Sequence, residues 1–480
     1  MKYNSTRGGV MGLSFEEAVC TGFASDGGML LPESYPTITR DQLKEWSKTS
    51  SYRSLVSRIV PLYIGDEIPT QHLEDLLDKA FSTFTSPEPE LIPLRRLKNG
   101  LVIAEMFHGL TWSFKDYAMS CVGQFLEYFL SRSKKHLTLL IATSGDTGSA
   151  AISAVRGLRW VDVVVLLPRG RCSKLQELQM TTVLEDNVHV YRADGCSDDM
   201  DDVFGKIHAD PEFVKRYNIG SMNSVNWARV MVQIVHYFYI YLKMEPDCEK
   251  EVEIVVPTGG CGNITAGCIA RKMGLPIKLV CAVNENDSVD KIVKKGNFVT
   301  KPTISTIAPS MDIQMPYNME RIWSVATNGN GNLVNQLMAN LNQTSNIQLP
   351  ETLHNQVRSY IGSFSVKEAD IKATIKRCYN ENDYILCPHT AVAVAYHYKQ
   401  QSIGENNNMA RVVIATASPR KFPEALQESG VPFKSDKGVE ELQAAPTRYT
   451  DLEKNEDWLQ ALRDKILKIK DKQKTVDQIL

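Results

Sequence analysis

Two glycine-rich turns contain the residues of this chain that are best suited to binding chemistry. They are Ala142-Thr-Ser-Gly-Asp-Thr-Gly-Ser-Ala150 and Pro257-Thr-Gly-Gly-Cys-Gly-Asn-Ile-Thr-Ala-Gly267, and each lies between an apolar run and a helix-like segment. A helix N-terminus presents unpaired amide donors and a partial positive charge, and glycines let the backbone close on a ligand. Each turn is therefore a candidate anion site.

Neither turn has a common nucleotide-binding signature. No lysine follows either turn as the Walker A motif requires, and Thr265 stands where the dinucleotide pattern has its third glycine. One such turn alone is more often a tight turn with a structural purpose. Two in one chain, both between strand and helix, favour phosphate binding.

Lys115 is a candidate for covalent chemistry, because the aromatic residues Trp112, Phe114 and Tyr117 surround it in the sequence. An amine in apolar surroundings has a lowered pKa and can form an imine with a carbonyl. The alternative is an ordinary lysine at a helix start with its ammonium in water. The two anion sites favour the first interpretation, because pyridoxal phosphate requires an imine-forming lysine and a phosphate cradle.

The elements that position these residues are predicted by apolar runs that alternate with helical stretches. Continuous Val/Ile/Leu runs indicate strands buried on both faces, and alternation with helices indicates parallel sheets. Ligands bind at the carboxyl ends of such strands, where both turns fall. Residues 1 to about 95 are predicted to be mostly helical. The predicted strands are 101–104, 137–141, 161–167, 188–191, 252–256, 277–282 and 412–415.

Composition and charge narrow the class of protein. A chain of 480 residues is too long to form a single hydrophobic core, so two or three domains are expected. A formal net charge of -2 gives no indication of nucleic-acid binding. No apolar run reaches membrane-spanning length; residues 227–242 carry Arg229, Gln233 and His236 and are predicted to form a buried helix. The ten cysteines show no metal spacing, and the N-terminus has no signal or transit character. We therefore expect a cytoplasmic protein without nucleic-acid, membrane or metal partners.

Several long segments, found in the expected order from residue 3 to beyond residue 420, resemble the threonine synthase family. They are Tyr3-Asn-Ser-Thr-Arg7, Phe23-Ala-Ser-Asp-Gly-Gly28, Glu105-Met-Phe-His-Gly-Leu-Thr-Trp-Ser-Phe-Lys-Asp116, Ala142-Thr-Ser-Gly-Asp-Thr-Gly148, Asn223-Ser-Val-Asn-Trp-Ala-Arg229, Ala308-Pro-Ser-Met-Asp312 and Ala415-Thr-Ala-Ser-Pro-Arg-Lys-Phe422.

The resemblance implies a fold-type II pyridoxal-phosphate enzyme, an α/β protein similar to the tryptophan synthase β subunit. Two α/β domains would follow an N-terminal, mainly helical domain. We predict an N-terminal domain at 1–95, a large cofactor-binding domain at 96–130 and 245–450, a small domain at 131–244, and a helical tail at 451–480.

The resemblance also implies roles for the cofactor-binding residues. Lys115 would bond to the cofactor and then act as acid and base. Thr416 would be the hydroxyl partner of the pyridine nitrogen, although a satisfied strand-end hydroxyl is an equal alternative from the sequence alone. The predicted cradle of the cofactor phosphate is Gly259, Gly260, Cys261, Gly262 and Asn263.

A small phosphorylated amino acid is the implied substrate. His389 is interpreted as a structural residue at a helix start, and Arg229 could instead fix a nearby loop. The loop predicted to grip the substrate carboxylate contains Thr143, Ser144, Asp146 and Thr147. The candidates for the substrate phosphate are Ser113, Asn223, Ser224 and Arg229.

Two departures from the family pattern bear on the reaction. Leu110 replaces a usual proline, and Gly259-Gly-Cys-Gly-Asn263 replaces a usual Gly-Asn-Phe-Gly-Asp cradle. The altered cradle favours a phospho-lyase that converts O-phosphohomoserine and O-phosphothreonine to 2-oxobutyrate, ammonia and phosphate. A true threonine synthase and a non-catalytic binding protein are the alternatives. A monomer and a homodimer both stay open.

Overall fold

Serine and threonine caps divide the N-terminal segment into short helices. Ser14, Thr39 and Ser51 each accept a hydrogen bond from the backbone amide three residues later, which satisfies a free donor of the first helical turn. The computed structural model describes residues 1–86, 89–143, 145–403 and 409–479. The first elements are β1 (Tyr3–Ser5), α1 (Phe15–Cys20), β2 (Leu30–Pro32), α2 (Arg40–Ser47), α3 (Tyr52–Ile59), α4 (Pro61–Ile64) and α5 (Thr70–Phe81).

Strands and helices alternate through most of the remaining chain. The strands are β3 (Leu94–Arg96), β4 (Val102–Glu105), β5 (Leu137–Ala142), β6 (Val161–Pro168), β7 (Val188–Ala193), β8 (Ile219–Gly220), β9 (Val252–Pro257), β10 (Ile277–Val283), β11 (Asn297–Val299), β12 (Asn346–Gln348), β13 (Ile361–Ser365), β14 (Ala410–Ala415) and β15 (Thr450–Leu452). The helices are α6 (Lys115–Ser133), α7 (Asp146–Val155), α8 (Lys174–Thr181), α9 (Ser197–His208), α10 (Pro211–Tyr217), α11 (Trp227–Met244), α12 (Gly262–Lys272), α13 (Ser288–Lys295), α14 (Met319–Ala326), α15 (Gly331–Thr344), α16 (Glu351–Tyr360), α17 (Glu368–Asn382), α18 (Pro388–Ser402), α19 (Pro423–Glu428), α20 (Lys437–Ala444) and α21 (Trp458–Ile479).

Two larger sheets organise these elements. One has the strand order β13-β10-β9-β14-β4-β3, parallel except for β3, which pairs antiparallel with β4. The other has the order β15-β7-β6-β5-β8 and is parallel throughout. Strands β5, β6 and β9 are almost wholly buried, as their continuous aliphatic sequences predict. All seven predicted strands are present, within one or two residues at their ends.

Helix α11 passes through the main hydrophobic core. Every residue from Trp227 to Leu242 is buried, which confirms the predicted buried helix. Its polar side chain His236 stacks on Tyr52 and bonds to the tyrosine hydroxyl through Nδ1 (2.9 Å). Burial lowers the pKa of His236 to about 3. Among the described residues, no helix combines the length and the apolarity that a bilayer crossing would need.

The C-terminal segment joins the five-stranded sheet. Strand β15 extends that sheet beside β7, and the following helix α21 packs on α9 and α10. Trp458, Leu462 and Ile466 form its buried face, so one side of this surface helix belongs to a hydrophobic cluster. The division of the chain into four domain segments stays a prediction.

Candidate active site

Lys115 is the first residue of α6, directly after the loop that leaves β4. Two backbone hydrogen bonds join this loop to the segment after β14: Phe114 N donates to the Thr416 carbonyl (2.8 Å), and Ser418 N donates to the Trp112 carbonyl (2.9 Å). Trp112 has a φ of +60°, which is uncommon for a bulky residue and marks a tightly constrained turn. The lysine is therefore fixed against the end of a central strand.

A cavity of about 290 Å³ lies where the loops after β4, β5, β9 and β14 converge. It brings together most of the predicted site residues: Lys115, Thr143, Asp146, Thr147, Asn223, Ser224, Arg229, Gly259, Gly260, Cys261, Gly262, Asn263 and Thr416. Ser113 is buried beside Ala417 and is not part of the cavity wall. Ser144 lies outside the described residues. The roles of these residues stay predictions.

Asp146 and Lys115 line the cavity, and the fully buried Lys421 completes a charged group with them. Lys115 Nζ lies 3.5 Å from Asp146 Oδ2, and Lys421 Nζ lies 2.7 Å from Asp146 Oδ1. Gln176 Nε2 also donates to Oδ1 (2.8 Å), and Ser310 Oγ lies 3.5 Å from Oδ2. Asp146 thus begins α7 with two short contacts on Oδ1 and two longer ones on Oδ2.

The surroundings of this group lower the pKa values of both Lys115 and Asp146. Burial lowers the pKa of Lys115; Asp146 opposes that shift, while Arg229 and Lys421 add to it. Burial raises the pKa of Asp146, but the lysine charges outweigh burial and hold that pKa well below its usual range. Lys115 is therefore more readily deprotonated than an exposed lysine.

The turn after β9 forms an open cradle at the start of α12. Cys261 caps the helix with a φ of +62°, and Asn318 Nδ2 donates to the Gly260 carbonyl (2.9 Å). Tyr237 donates to Asn263 Oδ1 (2.9 Å), whereas Asn263 Nδ2 is buried with no hydrogen-bonding partner in the protein. The free amides of the first turn and this unpaired donor suit an anion.

Arg229 is a buried cation on the same cavity. Its side chain is 2 % exposed, and Nη1 donates to the Met222 carbonyl (2.9 Å), while Nε has no partner in the protein. Within the described part of the chain, no acidic side chain forms an ion pair with it. Burial lowers the pKa of Arg229 to about 9, so it still carries its charge at neutral pH. A buried, unpaired guanidinium favours an anionic ligand.

Thr416 and Thr143 differ in whether their hydroxyl groups have hydrogen-bonding partners within the protein. Thr416 Oγ1 is buried, lines the cavity and has no hydrogen-bonding partner in the protein, as expected for a group that a ligand satisfies. The Thr143 hydroxyl instead accepts from Gly145 N and Gly148 N, at 3.0 Å each. Thr143 therefore shapes its own loop with that oxygen.

Several residues of the site were not predicted from the sequence. Lys421, Gln176 and Ser310 contact Asp146, and Asn318 fixes the cradle. Lys421 and Ser310 lie within two of the segments that resemble the family, so those segments contained a signal for them. Gln176 sits on α8 within an ordinary capping box and offered no such signal.

Comparisons with known proteins show the family of the chain. Family models described as threonine synthase N terminus, pyridoxal-phosphate dependent enzyme, and threonine synthase, C-terminal match residues 2–81, 88–339 and 390–466. The chain is 48 % identical over 468 residues to threonine synthase-like 2 of Xenopus laevis, covering 97 % of this chain and 98 % of that protein. It is 39 % identical over 444 residues to the threonine synthase of Eremothecium gossypii, covering 87 % and 86 %.

Solved structures give the same result. The pyridoxal-phosphate-bound threonine synthase from Brucella melitensis superposes with a TM-score of 0.88 at 34 % identity, covering 97 % of this chain and 98 % of that chain. The yeast threonine synthase gives a TM-score of 0.87 at 34 % identity, with the same coverage. The fold and the site define a fold-type II pyridoxal-phosphate enzyme. Within that class, the chain belongs to the threonine synthase family.

The residues present fit this cofactor. Gly260 leaves open space above the cradle, since a Cβ there would have no protein atom closer than 3.7 Å. The Lys115 amine lines the same cavity as the unpaired hydroxyl of Thr416 and the first turn of α12. Pyridoxal phosphate is therefore the cofactor that this site accommodates.

Proposed function

We propose that the protein is a phospho-lyase that uses pyridoxal phosphate. Its substrates are O-phosphohomoserine and O-phosphothreonine, and its products are 2-oxobutyrate, ammonia and phosphate. One water is consumed for each molecule of substrate, and the C–O bond to the phosphate and the C–N bond of the amino group are both broken.

The observation that carries the proposal is the unpaired Arg229 on the cavity that contains Lys115. Burying a guanidinium without a counter-ion is costly, and a doubly charged phosphate is the ligand that best offsets that cost. The cradle of α12 provides a second, separate anion site for the cofactor phosphate. Two anion sites on one cavity support a phosphorylated substrate beside a phosphorylated cofactor.

Lys115 is the residue that moves protons in this proposal. Bound pyridoxal phosphate supplies the electron sink that makes the hydrogen on the substrate α carbon acidic. Lys115 Nζ takes up that proton, because burial lowers the pKa of the amine towards the working pH. Asp146, 3.5 Å away, stabilises the ammonium that results.

The elimination is favoured over threonine formation because the Asp146 and Asp312 carboxylates on the cavity wall, which could direct a water, already have protein donors. Asn263 replaces an acidic residue of the usual cradle, and its carbonyl oxygen already accepts from Tyr237. Asp146 has donors on both oxygens. Burial raises the pKa of Asp312 to about 7, but Thr306 N occupies Oδ2 and Asn284 Nδ2 occupies Oδ1. Adding water at the β carbon needs a placed water, whereas elimination does not.

Product analysis tests the proposal. The purified, cofactor-loaded protein is given O-phosphohomoserine and O-phosphothreonine in parallel, and phosphate, 2-oxobutyrate, ammonia and threonine are quantified. We expect equal amounts of the first three products and no threonine. Threonine as the sole product from O-phosphohomoserine would identify a threonine synthase. Cofactor binding without phosphate release from either compound would identify a non-catalytic protein.

A further inference from the structure

Lys421 is a fully buried lysine that contacts Asp146 at the candidate site. Its side chain is completely buried, and Nζ donates to Asp146 Oδ1 (2.7 Å) and to the Thr111 carbonyl (2.7 Å). It follows β14 in the short turn Pro419–Lys421, on the side of the cavity that also carries Thr416. Full burial keeps the ε-ammonium away from solvent, so its contacts within the protein define its role.

The two oxygens of Asp146 are divided between the two lysines. Oδ1 takes the short contact with Lys421 and a second donor from Gln176 (2.8 Å). Oδ2 is left with two longer contacts, at 3.5 Å each, from Lys115 and Ser310. The stronger ion pair of the carboxylate is thus made with Lys421 and not with Lys115.

We propose that Lys421 is a positioning residue that engages the Asp146 carboxylate and thereby keeps the Lys115 amine from forming a close ion pair. Lys115 is left beside a carboxylate that already has a counter-charge. Its nitrogen can then lose and regain a proton without breaking a tight pair. The inference rests on the proposed catalytic role of Lys115.

The titratable groups around Lys115 come from four parts of the chain. They determine in which direction the pKa of Lys115 shifts when the charge of Lys421 is removed. Asp146 on α7 favours the ammonium form of Lys115, whereas Arg229 on α11 and Lys421 disfavour it. His389 on α18 is also near, and burial lowers its pKa to about 3, so it is neutral at working pH. Removing the Lys421 charge leaves Asp146 with Lys115 as its remaining lysine partner. The ammonium form of Lys115 is then favoured to a higher pH.

The test is the pH dependence of Lys115 labelling by acetic anhydride, followed by mass spectrometry on the full-length chain before cofactor is added. Two neutral variants are compared: Lys421→Gln, which retains hydrogen bonding, and Lys421→Met, which retains shape. Lys421→Arg retains the positive charge. Lys437→Gln is the matched control, because that lysine is 89 % exposed on α20. Circular dichroism shows whether each variant folds.

We expect the labelling midpoint of Lys115 to rise by about one pH unit or more in the two neutral variants. It should stay near the wild-type value in the arginine and control variants. The acid limb of the pH profile of kcat, which reports the enzyme–substrate complex, should move in the same direction. An unchanged midpoint in the folded neutral variants would overturn the proposal. Loss of folding in both would assign Lys421 to stability and overturn it as well.

Failure of the proposed function gives a different result. Threonine as the reaction product would contradict the phospho-lyase but would leave the labelling midpoints untouched. A Lys115 that is labelled like a surface lysine in the wild-type chain would contradict its catalytic role, and with it this inference.

Discussion

Two buried carboxylates of this protein form ion pairs that hold the fold together. Glu253 on β9 is bound by Arg411 and Lys278, and Glu320 on α14 is bound by Arg7 (3.0 Å). Arg229 is equally buried but has no such partner in the described part of the chain. An unpaired buried charge lowers the stability of the ligand-free protein and is retained where a ligand completes the pair.

Arg229→Gln should weaken the reaction without weakening the fold. A hydrogen bond to a charged group contributes about 1.5–3 kcal/mol, so kcat/KM should fall roughly 10- to 100-fold. The ligand-free protein should keep or gain stability, since an uncompensated buried charge is removed. Steady-state kinetics and thermal unfolding measure the two effects.

Arg411→Gln is the matched control for Arg229→Gln. It removes a guanidinium from its ion pair with the buried Glu253. Neither residue lines the cavity, so the variant should lower stability with little change in KM. Equal losses of stability in both variants would contradict the distinction between them.

Lys115→Ala should abolish turnover and the visible absorption of the bound cofactor together. Removing an amine that both anchors the cofactor and carries protons should reduce kcat by roughly 10³-fold or more. Absorption spectra and phosphate release measure the outcome, with Lys437→Ala as an exposed-lysine control. A variant that lost activity but retained the full visible spectrum would point to another lysine as the anchor.

At the scale of elements, two adjacent glycines in the turn before α12 differ in how closely the rest of the protein packs around them. A Cβ on Gly259 would lie 3.2 Å from the Met311 Cα and the Ser310 carbonyl. A Cβ on Gly260 would meet nothing closer than Ser224 Oγ at 3.7 Å. Gly259 is therefore required by packing, whereas Gly260 is not.

Gly260→Ala should weaken cofactor binding while leaving the unliganded protein stable to within about 0.5 kcal/mol. The added methyl group occupies the space in which backbone and phosphate approach each other. Gly259→Ala, in contrast, should lower stability as well. Cofactor titration followed by fluorescence, together with urea unfolding, separates the two. Unchanged cofactor affinity in Gly260→Ala would place the cofactor phosphate elsewhere.

Helix α21 packs on α9, and α9 contributes residues to the cavity wall. Leu462 is fully buried against the cluster that contains Phe204, and Phe204 also lines the cavity. Leu462→Ala should cost about 2–5 kcal/mol of unfolding free energy and raise KM, because α9 loses its support. Leu467→Ala, on the same helix but 39 % exposed, should change neither quantity. Stability loss without any change in KM would show that α9 holds its place independently of α21.

The sequence predicted the central strands well because burial on both faces leaves an unbroken aliphatic signal, as in β5 and β9. The edge strands β13 and β8 gave no such signal. Strand β13 has the sequence Ile-Gly-Ser-Phe-Ser, and β8 has two residues. Their pairing depends on neighbours far away in the chain, which local sequence does not encode.

The parts of the candidate site that are contiguous in sequence could be predicted, whereas contacts between residues far apart in the chain could not. Each glycine turn is a contiguous stretch of sequence, as is the aromatic segment around Lys115, and the cavity is lined by both turns, Lys115 and Phe114. The pairing of Asp146 with Lys421 joins residues 275 positions apart, so only the fold reveals it. An acidic residue would repel the substrate carboxylate that its loop is predicted to grip. The structure shows that Lys421 pairs with the Asp146 carboxylate.

At the scale of the whole molecule, three separate parts of the chain build one cavity. Phe23 comes from the N-terminal segment, Met200 and Phe204 come from α9 beside the five-stranded sheet, and Gly260 comes from the six-stranded sheet. A ligand in this cavity touches all three parts at once. Its binding free energy is therefore added to the interactions that hold these parts together.

Removing the cofactor should consequently lower the thermal stability of the whole chain. A ligand present at 100 times its Kd stabilises the native state by about 2.7 kcal/mol, and a bond to Lys115 adds to the contacts that determine this Kd. Pyridoxal phosphate should therefore raise the Tm of the wild-type protein clearly, and raise that of Lys115→Ala less at equal concentration. Scanning calorimetry with and without cofactor measures both. If the cofactor raised both values equally, the phosphate cradle alone would hold it, and the covalent anchor would contribute nothing to the stability of the assembled molecule.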